Sequence, residues 1–136
     1  MEITVGMKAA VDNLVEREDT AQVVGSGELL VYATPCMVAL MEGAACEAIA
    51  EALPEGKTTV GMEMSLQHLA PTPVGMEVTA EAEVTAVNGK VITFSVTASD
   101  EAGQIGKGVH KRCIVDSQKF LEKAYAKIAQ VSEDEE

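Results

Sequence analysis

Apolar and polar residues alternate with a period of two along much of this chain, and a pleated strand turns successive side chains to opposite faces. Over 76–87, Val78, Ala80, Ala82, Val84 and Ala86 fall on one side and Glu77, Thr79, Glu81, Glu83 and Thr85 on the other. Over 90–99 the alternation returns with Ile92, Phe94, Val96 and Ala98. Asn88-Gly89 between them predicts a hairpin, since both central positions of a type I′ turn need positive φ. A further strand is expected over 104–115, after a turn at 100–103. Its Gly106 and Gly108 suggest a bulge, or a close approach by backbone or ligand. An earlier strand, 58–69, puts Val60, Met62, Met64, Leu66 and His68 on one face and Thr59, Gly61, Glu63, Ser65 and Gln67 on the other. Ala70-Pro71-Thr72-Pro73 then breaks the ladder, because proline has no N–H to give. Residues 8–15 read as one more strand, 16–20 as a polar turn and Gly25-Ser26-Gly27 as a loop.

The period becomes helical between 35 and 53. Thr34 is a suitable N-cap, Pro35 fits the first helical position, and Pro54 and Gly56 close the segment. Gly43, Glu47 and Glu51 form a solvent stripe, from which Glu42 is offset by about 140° at 3.6 residues per turn. Glu42 therefore falls among Val38, Ala39, Ala45 and Cys46. Burial of a carboxylate there is expected to raise its pKa, and such a group needs a partner or a chemical task. Ser117 is the expected cap of a last helix with Phe120, Leu121, Ala124, Tyr125 and Ile128 on one stripe, and 132–136 reads as a frayed acidic tail. The fold class is α+β: one long central helix, an antiparallel meander of at least four strands and a C-terminal helix. An open sheet edge calls for cover, so a homodimer is expected, with a dimer of dimers as the larger alternative.

The 136 residues make one domain, 1–136, with 47% hydrophobic and 24% charged residues. No apolar run approaches the roughly 18 residues of a membrane span, and the start lacks the layout of a signal peptide. Cys36, Cys46 and Cys113 show neither metal-ligand nor disulfide spacing, so cytoplasm is the expected compartment. A formal net charge of −12 argues against nucleic acid and anionic membrane as partners. Six of the ten Lys and Arg nevertheless lie between Lys107 and Lys127, which suits a phosphorylated small molecule as well as a solvated face. Two histidines and scattered cysteines make a poor metal site.

The chemistry-bearing set is Thr34, Glu42 and His68: a hydroxyl at a helix start, an inward acid and an ionisable group ending an apolar strand face. Ala33-Thr34-Pro35 leading to Met37-Val38-Ala39-Leu40-Met41-Glu42, the strand ending in His68 with Thr72-Pro73 and Gly75 after it, and Gly106-Lys107-Gly108-Val109-His110-Lys111-Arg112 together resemble the hotdog-fold acyl-CoA thioesterases of the fluoroacetyl-CoA thioesterase-like group. The resemblance covers about residues 5–125. It implies a helix wrapped by a sheet, a site near a dimer interface, Thr34, Glu42 and His68 as catalytic residues, and no cofactor beyond the coenzyme A of the substrate. Glu42 is then base or nucleophile, Thr34 nucleophile or orienting group, and His68 proton donor or carbonyl anchor, with helix-start N–H groups as oxyanion donors. Gly61, His110, Lys111 and Arg112 are the expected substrate-binding residues, the cations meeting coenzyme A phosphates. The fluoroacetyl-specific member covers its acyl pocket with an aromatic lid. Here the segment before Thr34 holds only Tyr32, so a generic acyl-CoA is the expected substrate. A hotdog hydratase or dehydratase and a non-catalytic acyl-CoA binder are the rival readings.

Overall fold

The computed structural model describes residues 2–134. Its strands are β1 (Lys8–Leu14), β2 (Lys57–His68), β3 (Glu77–Asn88), β4 (Val91–Asp100) and β5 (Gly103–Asp116). Its helices are α1 (Ala21–Val24), α2 (Thr34–Ile49) and α3 (Ser117–Asp134). All strand pairs are antiparallel, in the order β1-β3-β4-β5-β2. The meander β3-β4-β5 is thus the centre of the sheet, and β2 closes one side as an edge strand.

The alternation read from β3 and β4 is what builds the core. Val78, Ala80, Ala82 and Val84 of β3 and Ile92, Phe94, Val96 and Ala98 of β4 are buried against Met37, Met41, Ala44, Ala45 and Ile49 of α2. Small residues on β3 let the helix lie close over that side, so α2 packs chiefly on β1 and β3. The inner face of β5 and β2 mixes apolar side chains, Ile105, Met64, Leu66 and Ile114, with polar ones.

Several local expectations are corrected. Helix α2 stops at Ile49 and a short 3-10 turn, Ala50–Ala52, completes the expected span to 53. Ala33 is its N-cap, and Thr34 is already helical and makes no capping bond. The β3–β4 loop is Gly89-Lys90, since Asn88 pairs with Val91. Gly89 has φ 64° and no non-glycine residue among those described has positive φ, so the first loop position carries the positive φ as in a type II′ turn. The strict alternation of β2 fails at Met62. The register with β5 slips there, Gly61 facing Arg112 and Glu63 facing Lys111. Such a bulge adds one residue to one strand. It turns Met62 outward, 56% exposed, and brings Thr59 and Gly61 onto the same face as Met64, Leu66 and His68. The acidic tail also departs from expectation: helix α3 runs on to Asp134, and residues 135 and 136 lie outside the described residues.

The two β5 glycines are sites of close approach. A Cβ on Gly106 would come within 2.6 Å of the Met37 sulfur, and one on Gly108 within 2.3 Å of the Ser65 carbonyl oxygen and 2.7 Å of Leu66 Cβ. The second obstacle is backbone of the neighbouring strand and cannot swing aside. Gly108→Ala should therefore cost about 1–3 kcal/mol, the usual range for overpacking, read as a lower denaturation midpoint in urea with unchanged slope.

Candidate active site

The residues singled out in the sequence gather into two clusters. One joins α2 to the end of β2: Thr34 Oγ1 and His68 Nδ1 are 2.7 Å apart. Because Ala33 takes the capping position, the Thr34 hydroxyl is free for this bond. The first turn of α2 offers few orphan donors. Pro35 has no N–H, and Cys36 N–H bonds the Ala33 carbonyl at 3.0 Å, which leaves Thr34 N–H as the first-turn donor to a developing charge. His68 Nε2 is buried and without a hydrogen-bond partner. Desolvation lowers the His68 pKa, partly opposed by the nearby Ala70 backbone. The ring is thus poised neutral, able to pass a proton between Thr34 and a group bound at Nε2.

The second cluster surrounds Arg112, a charge only 6% exposed. Its Nη1 donates to Glu42 Oε2 at 2.8 Å and to His110 Nε2 at 3.1 Å. Its Nε donates to Thr59 Oγ1 at 2.8 Å and its Nη2 to the Thr59 carbonyl at 3.0 Å. Guanidinium donors sit in a rigid fork, so meeting four acceptors at once fixes its plane. His110 donates from Nδ1 to the Glu63 carbonyl at 2.8 Å, which leaves Nε2 as the acceptor that Arg112 requires. Phe94 stacks on the ring, with centroids 6.1 Å apart. Gly61 completes the cluster: a Cβ there would stand 2.5 Å from Glu42 Oε2, so only glycine lets the carboxylate reach this point.

Two expectations change in consequence. Glu42 does not sit bare on an apolar face; it is 38% exposed and ion-paired with Arg112. His110 and Arg112 are buried behind it and spent on protein acceptors, so neither reaches out to a phosphate. Among the expected substrate-binding cations Lys111 does stand at the surface, 3.6 Å from Glu63. Thr59 was missed as a site residue, because strict period-two reading put it on the outer face; only the bulge reverses that. Gly61 is the sequence signal at that point, since a glycine inside a strand often marks a bulge.

Residues 15–118 match the family described as fluoroacetyl-CoA-specific thioesterase. This chain belongs to that family. It is 38% identical over 97 residues to the fluoroacetyl-CoA thioesterase of Streptantibioticus cattleyicolor, covering 71% of this chain and 70% of that one. A crystal structure of a fluoroacetyl-CoA thioesterase superposes with TM-score 0.87 at 33% identity, over 93% of this chain and 98% of the other. A Thermus thermophilus hypothetical protein, a thioesterase superfamily member, gives TM-score 0.86 at 30% identity over 97% of each. The hotdog fold expected from the sequence is therefore the fold of this protein, and thioester hydrolysis is the activity of its family.

The histidines give the site a pH signature. Burial, then the Arg112 charge, holds His110 below its ordinary pKa, and burial does the same for His68. An unfolded histidine titrates near 6.5, so below that pH the unfolded chain binds more protons than the folded one. Stability due to the neutral rings is complete above about pH 6.5 and is lost as pH falls toward the depressed folded values. His110→Gln should flatten the fall in urea midpoint between pH 7 and 5 relative to wild type. An unchanged profile would mean that His110 is not held neutral.

Proposed function

We propose that this protein hydrolyses acyl-CoA thioesters to the free acid and coenzyme A at a site completed only between two copies of the chain. The observation that carries this reading is the separation of the two clusters. Thr34 and Glu42 are eight residues apart on α2, about 12 Å along the axis at 1.5 Å per residue. On β2 the residues they touch, His68 and Gly61, are seven positions apart, up to about 23 Å at roughly 3.3 Å per residue. One carbonyl cannot meet both clusters of one protomer.

Strand β2 is an edge of the sheet, with backbone groups free to pair. Antiparallel pairing of β2 with its copy about a two-fold axis sets each end of the strand against the opposite end of the other, with both inner faces on one side. The Thr34–His68 pair of one protomer then faces the partner's Glu42, held by the partner's Arg112. The exposed apolar stripe of α3, Leu121, Tyr125, Ile128 and Val131, each more than half exposed, is further surface suited to an assembly. Size measurement should give twice the 14.3 kDa chain mass.

The roles follow from the free atoms. Glu42 Oε2 is engaged by Arg112, leaving Oε1 to take a proton from water as it attacks the thioester carbonyl. Arg112 prevents the carboxylate from swinging away, and positioning of this kind sustains general-base catalysis worth about 100- to 10,000-fold. Thr34 N–H holds the developing oxyanion, while the Thr34 hydroxyl donates to His68 Nδ1 and so keeps the proton of the neutral ring on Nε2. That Nε2–H hydrogen-bonds the departing thiolate, which finally takes the proton that Glu42 removed from water. Lys107 and Lys111 are the exposed cations left for coenzyme A phosphates. Hydration of an acyl thioester would need an acid and a base converging on its α and β carbons, not on the carbonyl, and the helix-start hydroxyl favours the carbonyl.

Glu42→Gln and Thr34→Ala homodimers should each lose at least about 100-fold in kcat for thiol release from acyl-CoA. Refolded together in equal amounts, half of the dimers carry one chain of each kind and one intact site in two. Activity should return to about a quarter of wild type. A mixture as inactive as its components would place the whole site in one protomer and overturn the two-chain reading.

A further inference from the structure

The Thr34–His68 pair opens on a solvent-open cavity of about 330 Å³ whose remaining walls are the apolar Ala21, Val31, Leu69, Ala70 and Pro71 with the polar Ser26 and Tyr32. Two segments build it. Residues 20–32 fold back on themselves, Ala21 N–H bonding the Val31 carbonyl at 2.9 Å and Gln22 N–H that of Leu29 at 3.1 Å. Residues 68–71 are tied to the sheet through Leu69 N–H and the Ile105 carbonyl at 2.7 Å. No charged side chain lines the cavity. The same two segments leave Val23, Val24, Leu29, Leu30 and Leu69 between 43% and 69% exposed. Of these Leu69 lines the cavity itself, and the other four extend the apolar surface along the 20–32 segment that supplies part of its wall. A contiguous apolar surface of this kind marks a binding site rather than ordinary scatter.

Size narrows the occupant. At roughly 30 Å³ for a water-sized group the cavity takes at most about eleven heavy atoms. With the carbonyl oxygen, the sulfur and the attacking water also placed there, about eight carbons is the upper bound for the acyl chain, far more than the two of an acetyl group. A terminal carboxylate would find no cation in these walls, and burying an unpaired charge is costly. Resting on the thioesterase reading above, we propose that the acyl group this protein accepts is a saturated aliphatic chain of about four to eight carbons, seated between segments 20–32 and 68–71 with its carbonyl at Thr34.

The test is kcat/KM for thiol release by the full-length protein from acetyl-, butanoyl-, hexanoyl-, octanoyl-, succinyl- and benzoyl-CoA. Each methylene moved from water into the cavity should raise kcat/KM about fourfold, giving a rise from acetyl to hexanoyl and a poor succinyl ester. Ala70→Leu, which fills the cavity, should reduce hexanoyl turnover at least tenfold more than acetyl turnover. Leu69→Ala, on an exposed wall and safe for folding, should move the optimum to longer chains. Preference for acetyl, succinyl or benzoyl esters, or a chain-length profile unmoved in Leu69→Ala, would overturn the inference while leaving a thioesterase. Release from none of the six esters would overturn the thioesterase reading and this inference with it.

Discussion

A buried guanidinium has to be surrounded by acceptors, and in this protein that demand organises one whole side of the sheet. Arg112 cannot be neutralised at any ordinary pH, so its donors must be met where it lies. Thr59 supplies a hydroxyl and a carbonyl, His110 a ring nitrogen and Glu42 a carboxylate oxygen. Each of these depends on something else. Thr59 faces inward only because β2 bulges at Met62. His110 offers a lone pair at Nε2 only because the Glu63 carbonyl takes the proton at Nδ1. Glu42 comes within reach only because Gly61 has no side chain. Removing one member of a buried ion pair typically costs about 3–5 kcal/mol; for this pair the figure is lower, since Glu42 is 38% exposed and water can replace part of the lost interaction.

The other cluster is built on the opposite principle. Thr34 and His68 carry no net charge between them when the ring is neutral, and they sit where backbone structure leaves groups unspent. The helix start leaves a hydroxyl that is not used for capping. The strand end leaves a ring nitrogen with no partner. One cluster holds an anion rigidly; the other holds neutral groups able to exchange protons. A thioester hydrolase needs both, one to activate water and one to receive the oxyanion and the thiolate. A single copy of this chain keeps them apart, His68 closing β2 and Gly61 lying near the middle of the same strand.

Much of this was legible in the sequence where a periodic pattern and a packing requirement coincide. The alternation of β3 and β4 is the core, because a sheet with one buried face has no other way to sort those side chains. Gly106 and Gly108 announced close approaches, and Thr34, Glu42 and His68 were marked by residue type against an apolar background. Those readings depend only on neighbours along the chain. What only the tertiary structure decided depends on neighbours across it. The bulge at Met62 is the slip by which β2 pairs Gly61 with Arg112 and Glu63 with Lys111; Gly61 hints at it, but the strand that fixes the register lies about fifty residues on. Arg112 is buried because Glu42 comes from a helix seventy residues earlier to meet it. The distance between Thr34 and Glu42 was written in their spacing, but its meaning was not: only the placement of His68 at the end of an edge strand and of Gly61 near its middle divides a list of three residues into two clusters.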